Sequence, residues 1–179
     1  MDSSKNERSP KRLRADSNPD RNTLAYWVGT GFTRSVLLPF APGTEGSLVS
    51  WLLGLVAFFW VGPWMLTALM LCSLIAGWWS AIWFVREIGD DPSEFVMDEW
   101  AGQLIALHIL FIVPPLTDPL LTIGIIVGAF VIFRVFDILK PLGIRHAEKI
   151  GGTTGIMIDD IIAGFYTFIT LFFVILAVL

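Results

Sequence analysis

Two pairs of adjacent carboxylates stand out from the apolar sequence around them. Asp159 and Asp160 lie in a run that carries no other charge up to Leu179, and Asp98 and Glu99 are followed by another apolar stretch. A charge inside an apolar segment of membrane length is unfavourable and is usually retained for function, with a partner nearby. Two adjacent like charges are less favourable still unless a cation neutralises them. We therefore predict that a cation binds beside these acids.

A third charged cluster has the spacing of one helix face. Arg134, Asp137 and Lys140 are three residues apart and form a stripe along one side of a helix. The stripe and the two pairs together offer five carboxylates as candidate metal ligands and catalytic residues: Asp98, Glu99, Asp137, Asp159 and Asp160. Hard oxygen ligands in this number favour Mg²⁺. The alternative for the stripe is an intrahelical ion-pair ladder whose basic ends reach to the membrane surface.

Groups suited to phosphate accompany the acids. Residues 43–47 form a glycine-rich segment before an apolar run. Backbone N–H groups at such a helix entrance commonly hold phosphate, although an ordinary turn is the alternative. The candidate phosphate-binding residues are Gly43, Thr44, Gly46, Ser47, Arg134 and Arg145, and Lys140 joins the acids as a candidate catalytic residue. Carboxylates, a divalent cation and basic groups together indicate phosphoryl chemistry.

The composition places these residues in a membrane protein. The chain has 179 residues, of which 55% are hydrophobic and 16% charged. Residues 46–85 carry no charge, and 40 residues of helix would extend about 60 Å, or two bilayer crossings. We predict an all-α polytopic membrane bundle of about five hydrophobic helices over residues 23–179. Residues 1–22 lack the apolar region of a signal peptide, so we expect a disordered cytoplasmic tail.

Proline and glycine signals divide the apolar sequence into spans. Gly62-Pro63 predicts a turn, whereas Asp91-Pro92 and Asp118-Pro119 each predict an N-cap followed by proline at the first helical position. The proline- and glycine-rich segment 39–47 predicts neither helix nor strand, with Thr44 or Ser47 as the cap of the first span. The predicted spans are residues 47–61, 64–85, 92–113, 119–140 and 155–179.

The distribution of charge predicts the orientation of the bundle. With the N-terminus inside, all twelve Lys and Arg residues fall on the inner side, as do all sixteen acids except Asp118. This is a strong positive-inside pattern. The acids therefore face the cytoplasm at the membrane surface, and the C-terminus lies outside. A site between membrane spans at this face indicates a lipid substrate.

Four segments in register resemble the phosphatidylglycerophosphatase A family of bacterial inner-membrane enzymes. The resemblance covers nearly everything after residue 30. It implies a Mg²⁺-dependent phosphatase that converts phosphatidylglycerophosphate to phosphatidylglycerol, with the five acids at its site. The matching segments are APGTEGSL at 41–48, DPSEFVMDEWAG at 91–102, FRVFDILKP at 133–141 and GIMIDDIIAG at 155–164.

The sequence also departs from the usual pattern of that family. Thr33, Arg34 and Ser35 stand where the family usually has small glycine-rich residues. Gly143 replaces a proline in the segment KPLGIR, and Glu148 stands near a frequent aspartate. Because the five acids are intact, these differences bear on substrate fit more than on the chemistry.

The residues also bear on several alternative functions. A CDP-alcohol phosphatidyltransferase would carry DGxxAR followed by two spaced aspartates, and another class of membrane lipid phosphatase would carry PSGH or SRxxxxxH; the chain has none of these. A cation transporter would place acids at the bilayer centre or on both sides. A non-catalytic scaffold is a further alternative. No nucleic-acid partner is expected, the oligomeric state stays open, and one carboxylate acts either as general base or as nucleophile.

Overall fold

The computed structural model describes residues 19–33, 38, 40–89, 92–112, 118–141, 143–144 and 150–178, and within these ranges it is helical without strands. The predicted all-α class is confirmed. The helices are α1 (Leu24–Gly29), α2 (Pro42–Val56, extended by a π-helical turn Ala57–Val61), α3 (Pro63–Glu87), α4 (Met97–Leu107, extended by a 3-10 turn His108–Phe111), α5 (Pro119–Leu139) and α6 (Gly152–Val178).

Four of these helices are long and apolar enough to cross a membrane. They are α2 with its π-helical turn, at 20 residues, α3 at 25, α5 at 21 and α6 at 27. Their outward faces carry large exposed apolar side chains such as Trp60, Ile75, Ile138 and Phe173. Apolar surface of this extent is characteristic of contact with lipid.

The predicted span at 92–113 is wrong in its start and its length. Helix α4 begins at Met97, and with its 3-10 turn it has 15 residues, or about 22 Å. Residues 92–96 are not helical because the Val96 N–H donates to the Gly29 carbonyl at 2.8 Å, which ties this segment to the end of α1. A tertiary hydrogen bond thus overrides the local Asp-Pro signal; Asp91 itself lies outside the described residues.

Two other predicted boundaries are also corrected. Helix α2 starts at Pro42, so neither Thr44 nor Ser47 caps it; Ala41 is the N-cap and makes no side-chain capping bond. Proline suits this position because the first helical N–H has no intrahelical acceptor. Helix α6 starts at Gly152, directly after Gly151, whose φ of +69° favours glycine.

Helices α4 and α6 make the closest contact in the bundle. A Cβ atom on Gly102 would lie 2.4 Å from the Asp160 carbonyl oxygen, and one on Gly164 would lie 2.4 Å from the Gly102 carbonyl oxygen. Only glycine permits backbones to approach so closely. Both helices begin at the same end of the bundle, so this contact brings the two acidic pairs to one depth.

The opposite end of α4 reaches the turn between α2 and α3. The Phe111 ring lies 5.7 Å from Phe58 and 5.9 Å from Trp64. The Leu107 and Leu110 side chains belong to the largest of the three buried apolar clusters that the described residues form. Helix α4 is therefore a central element that passes from the acidic end to the other end while the four long helices surround it.

Candidate active site

Three carboxylates from α4 and α6 converge at the acidic end of the bundle. One oxygen from each of Asp98, Glu99 and Asp160 lies within 4.8 Å of the others. The Asp160 residue is only 3% exposed. Asp98 and Glu99 belong to the first turn of α4, and Asp160 follows the second turn of α6. Oxygens at this separation suit coordination of one cation.

The two acidic pairs have the same local geometry. Asp98 Oδ1 accepts the Glu99 N–H at 3.0 Å, and Asp159 Oδ1 accepts the Asp160 N–H at 3.0 Å. Adjacent helical residues diverge by about 100°, so the members of a pair face different neighbours. Asp160 joins the three-carboxylate cluster, whereas Asp159 turns to α5 and pairs with Lys140 at 2.7 Å.

The basic residues at the two ends of the charged stripe on α5 have different partners. Arg134 forms an ion pair with Asp137 within the same helix, as the ladder alternative expects. Lys140 instead reaches across to Asp159, because its left-handed backbone, with φ of +45°, ends the helix there. Asp137 and Asp160 line the same cavity at this end of the bundle. The stripe therefore adjoins the cluster through Asp137.

The glycine-rich segment of α2 lies against Arg134 and Glu99. The Arg134 guanidinium donates to Ser47 Oγ at 3.0 Å and to Thr44 Oγ1 at 3.3 Å. A Cβ on Gly43 would lie 2.1 Å from Glu99 Oε1, so only glycine leaves room for this carboxylate. The fourth residue predicted here, Gly46, packs on Val96.

A cavity of about 340 Å³ adjoins the carboxylate cluster. Among the residues that the structure describes, Lys140 is the basic residue in its wall; Arg134 and the 43–47 segment are not part of that wall. Arg145, the remaining predicted phosphate ligand, lies outside the described residues. The wall consists of Pro92, Ser93, Phe95, Asp98, Glu99, Asp137, Lys140, Gly151, Gly155, Ile156, Asp159 and Asp160.

Burial raises the pKa values of the two acids on α4, which lies outside the four crossing helices. Burial raises the pKa of Asp98 well above its usual range, and the adjacent Glu99 charge raises it further. Burial also raises the pKa of Glu99, although a hydrogen bond with Asp98 and the Arg134 charge act in the opposite direction. A bound cation favours the ionised forms, so protons and metal compete for this site.

The donor set fits a hard divalent cation. Glu99 Oε2 is buried and has no hydrogen-bond partner among the described residues. A buried carboxylate oxygen without a partner is unfavourable unless a ligand completes its interactions. The cluster therefore offers three carboxylates, and one of them has an oxygen without a hydrogen-bond partner. This set of oxygen ligands matches the preference of Mg²⁺. The residues present therefore fit the predicted ion.

Sequence reasoning missed one interaction that supports the site. The Tyr26 hydroxyl donates to Glu94 Oε2 at 2.6 Å, and Arg21 pairs with Glu94 Oε1 at 2.9 Å. These bonds fasten the segment that carries Ser93 and Phe95, two residues of the cavity wall. The position of Glu94, two residues after Pro92, predicts only a solvated acid in the first turn of a helix. No local pattern joins it to a tyrosine 68 residues away.

The fold and site define a membrane-embedded helical protein with a buried carboxylate site beside a polar cavity. The sequence model of the family "Phosphatidylglycerophosphatase A" matches residues 27–175 of the chain. The chain therefore belongs to the phosphatidylglycerophosphatase A family, and it is a phosphatase. This family agrees with the resemblance that the four sequence segments indicate.

Curated relatives cover most of the chain. A Bacteroides thetaiotaomicron protein, provisionally named a phosphatidylinositol-3-phosphatase, is 38% identical over 82% of this chain and 90% of its own length. Phosphatidylglycerophosphatase A of Haemophilus influenzae is 33% identical over 82% of this chain and 86% of its own. The Escherichia coli protein of the same name is 33% identical, over 88% and 84% respectively. No solved structure gives a significant match.

Proposed function

We propose that this protein hydrolyses phosphatidylglycerophosphate to phosphatidylglycerol and phosphate at the cytoplasmic face of a bacterial inner membrane, with Mg²⁺ bound by Asp98, Glu99 and Asp160. The observation that carries the proposal is the convergence of these three carboxylates beside the cavity. Family membership supports the reaction type.

Each group around the cavity has a role in this reaction. Mg²⁺, when bound, supplies a Lewis acid for the phosphate and lowers the pKa of water. Lys140 faces the cavity and offsets the negative charge of the phosphate, while Asp159 orients its ammonium group at 2.7 Å. Asp137, which lines the cavity together with Asp160, would either accept a proton from the attacking water or attack phosphorus itself. In both cases the bond between phosphorus and the glycerol oxygen breaks and that oxygen takes up a proton; if Asp137 attacks, water then hydrolyses the aspartyl phosphate and releases phosphate.

The position of the cavity supports a lipid substrate. It lies where α5 ends and α6 begins, at the end of two helices long enough to cross a bilayer. A phosphorylated headgroup can therefore enter the cavity while its acyl chains stay among apolar side chains. The cavity wall includes three small residues, Ser93, Gly151 and Gly155. Their short side chains leave room for a headgroup.

The decisive experiment measures phosphate release from detergent-solubilised protein. We expect release from phosphatidylglycerophosphate that stops with EDTA and returns with added Mg²⁺. Activity that persists in EDTA would contradict the metal assignment, and no release from any lipid phosphate would contradict the proposed reaction.

A second substrate follows from the name of the Bacteroides relative. The same assay therefore includes phosphatidylinositol 3-phosphate at equal surface concentration. We expect a higher kcat/KM for phosphatidylglycerophosphate. A higher value for the inositol lipid would retain the chemistry and change the substrate.

The cytoplasmic orientation rests on the charge distribution and has a separate test. Ser93 is an exposed residue at the cavity edge, and Leu120 is exposed near the start of α5 at the opposite end. In a Cys72→Ala background, Ser93→Cys should react with an impermeant maleimide only in inside-out vesicles, and Leu120→Cys only in right-side-out vesicles. The reverse pattern would overturn the orientation.

A further inference from the structure

The geometry points to Arg134, Thr44 and Ser47 as positioning residues that hold Asp137 and the first turn of α2 beside the Glu99 carboxylate, rather than as ligands of the substrate phosphate. This inference rests on the proposed function and refines the site at which it occurs. It concerns the contact between three helices, α2, α4 and α5, directly behind the carboxylate cluster.

The Arg134 guanidinium is already occupied by protein groups. Its Nη1 donates to Ser47 Oγ at 3.0 Å and pairs with the Asp137 carboxylate, and its Nη2 donates to Thr44 Oγ1 at 3.3 Å. Bidentate capture of phosphate requires two parallel N–H donors from one guanidinium. Here both N–H groups of Nη1 have protein acceptors. The Nε atom has no hydrogen-bond partner among the described residues but is buried, and Arg134 does not line the cavity, so phosphate in the cavity would reach the guanidinium only after a rearrangement.

The Ser47 hydroxyl group is oriented to accept a hydrogen bond from Arg134. Ser47 is fully buried and donates its own proton to the Gly43 carbonyl at 2.8 Å, so its lone pairs accept from Arg134. Gly43 in turn lies against the Glu99 carboxylate. The Arg134 guanidinium and the Glu99 carboxylate therefore both lie beside Gly43 in the first turn of α2.

Among the described residues, the basic side chain that lines the cavity belongs to Lys140 and not to Arg134. Lys140 and Asp137 line its wall, whereas Arg134, Thr44 and Ser47 do not. Arg134 thus contacts the back of Asp137, and Lys140 faces the space that the phosphate would occupy. Groups behind the ligands of a metal commonly fix ligand orientation, and their loss typically lowers affinity or activity by about 10- to 100-fold.

This arrangement predicts a specific kinetic pattern. Ser47→Ala and Thr44→Val each remove one hydrogen bond to the guanidinium. We expect kcat to fall about tenfold and the Mg²⁺ concentration for half-maximal activity to rise by a similar factor, with KM for the lipid changed less than about twofold. Thr44→Ser retains the hydroxyl and should retain most of the activity.

A double-mutant cycle tests whether the effect passes through Arg134. Arg134→Lys keeps the charge and loses the fork of donors. Because both changes break the same contact, Ser47→Ala in the Arg134→Lys background should add less than about twofold. The matched control is Ser50→Ala, another buried serine one turn along α2, whose hydroxyl bonds to the Ser47 carbonyl at 3.0 Å. It should leave kcat and the Mg²⁺ dependence unchanged.

Two outcomes would overturn the inference. The first is a rise in KM with unchanged kcat and Mg²⁺ dependence, which is the pattern of direct phosphate binding. The second is a double variant in which the effects of Ser47→Ala and Arg134→Lys on kcat multiply in full. If Ser47→Ala does not fold, the Thr44→Val and Thr44→Ser pair decides by the same criteria.

A failure of the proposed function would be visible separately. If the wild-type protein releases no phosphate from any lipid, Mg²⁺ titration of its thermal unfolding replaces the kinetic readout. The inference then requires a weaker Mg²⁺-induced rise in the unfolding temperature in Ser47→Ala than in wild type and Ser50→Ala, and equal rises in all three would overturn it.

Discussion

The two acidic pairs share a backbone geometry and differ in what surrounds them. Asp159 has Lys140 as a cation 2.7 Å away. Within the described part of the chain, no Lys or Arg forms an ion pair with Asp98, Glu99 or Asp160. The same motif, an acid followed by an acid, thus supplies a neutralised group that orients a lysine and a cluster at which we propose that Mg²⁺ binds. The difference arises from the neighbouring helix and not from the motif.

The largest expected effect is a loss of activity that distinguishes Asp160 from Asp159, the two members of the pair on α6. Asp160→Asn removes a carboxylate from the cluster and should lower kcat by about 10²-fold or more, since a site for developing charge loses several kcal/mol of stabilisation. It should also abolish most of the stabilisation by Mg²⁺ in thermal unfolding.

Its matched control is Asp159→Asn, the same change at the adjacent residue. We expect a smaller loss of activity there and a retained response to Mg²⁺, because Asp159 pairs with Lys140 instead of joining the cluster. Equal loss of Mg²⁺ response in both variants would remove the distinction between the pairs.

A second, smaller effect concerns the contact that brings the pairs together. Gly164→Ala places a methyl group 2.4 Å from the Gly102 carbonyl oxygen, so α4 and α6 must separate. We expect destabilisation of about 2 kcal/mol, typical of overpacking in a close-packed interior. Gly124→Ala on α5, with nothing within 4 Å, is the control and should be neutral or slightly stabilising. Unfolding in a mild detergent measures both, and equal stability of the two variants would contradict the close contact.

The smallest effect tests the ion pair of Asp159. Lys140→Ala leaves that carboxylate without its cation, whereas Lys140→Ala with Asp159→Asn removes both charges. The coupling free energy for stability should be about 1 kcal/mol, as for a partly exposed pair. A coupling near zero would show that Lys140 and Asp159 act independently.

The spacing of the charged residues along a helix was easier to predict from the sequence than the helix boundaries around them. The spacing of three between Arg134, Asp137 and Lys140 is a property of one helix, so it could be read locally. The start of α4 could not, because the Val96 N–H bonds to Gly29 on a distant segment. The bond between Tyr26 and Glu94 likewise depends on how α1 packs on the bundle. Local signals fail where a tertiary hydrogen bond competes with them.

The buried position of α4 has a consequence for how the protein responds to its membrane. Residues Ala101–Leu107 are buried throughout, so this helix has almost no face toward lipid. A thicker or thinner bilayer acts on the tilt of the four long helices at modest cost per ångström of mismatch. Helix α4, which carries Asp98 and Glu99, is in contact with protein rather than lipid. A change in membrane thickness therefore acts on Asp98 and Glu99 indirectly, whereas Asp137 on α5 and Asp160 on α6 belong to helices on which it acts directly.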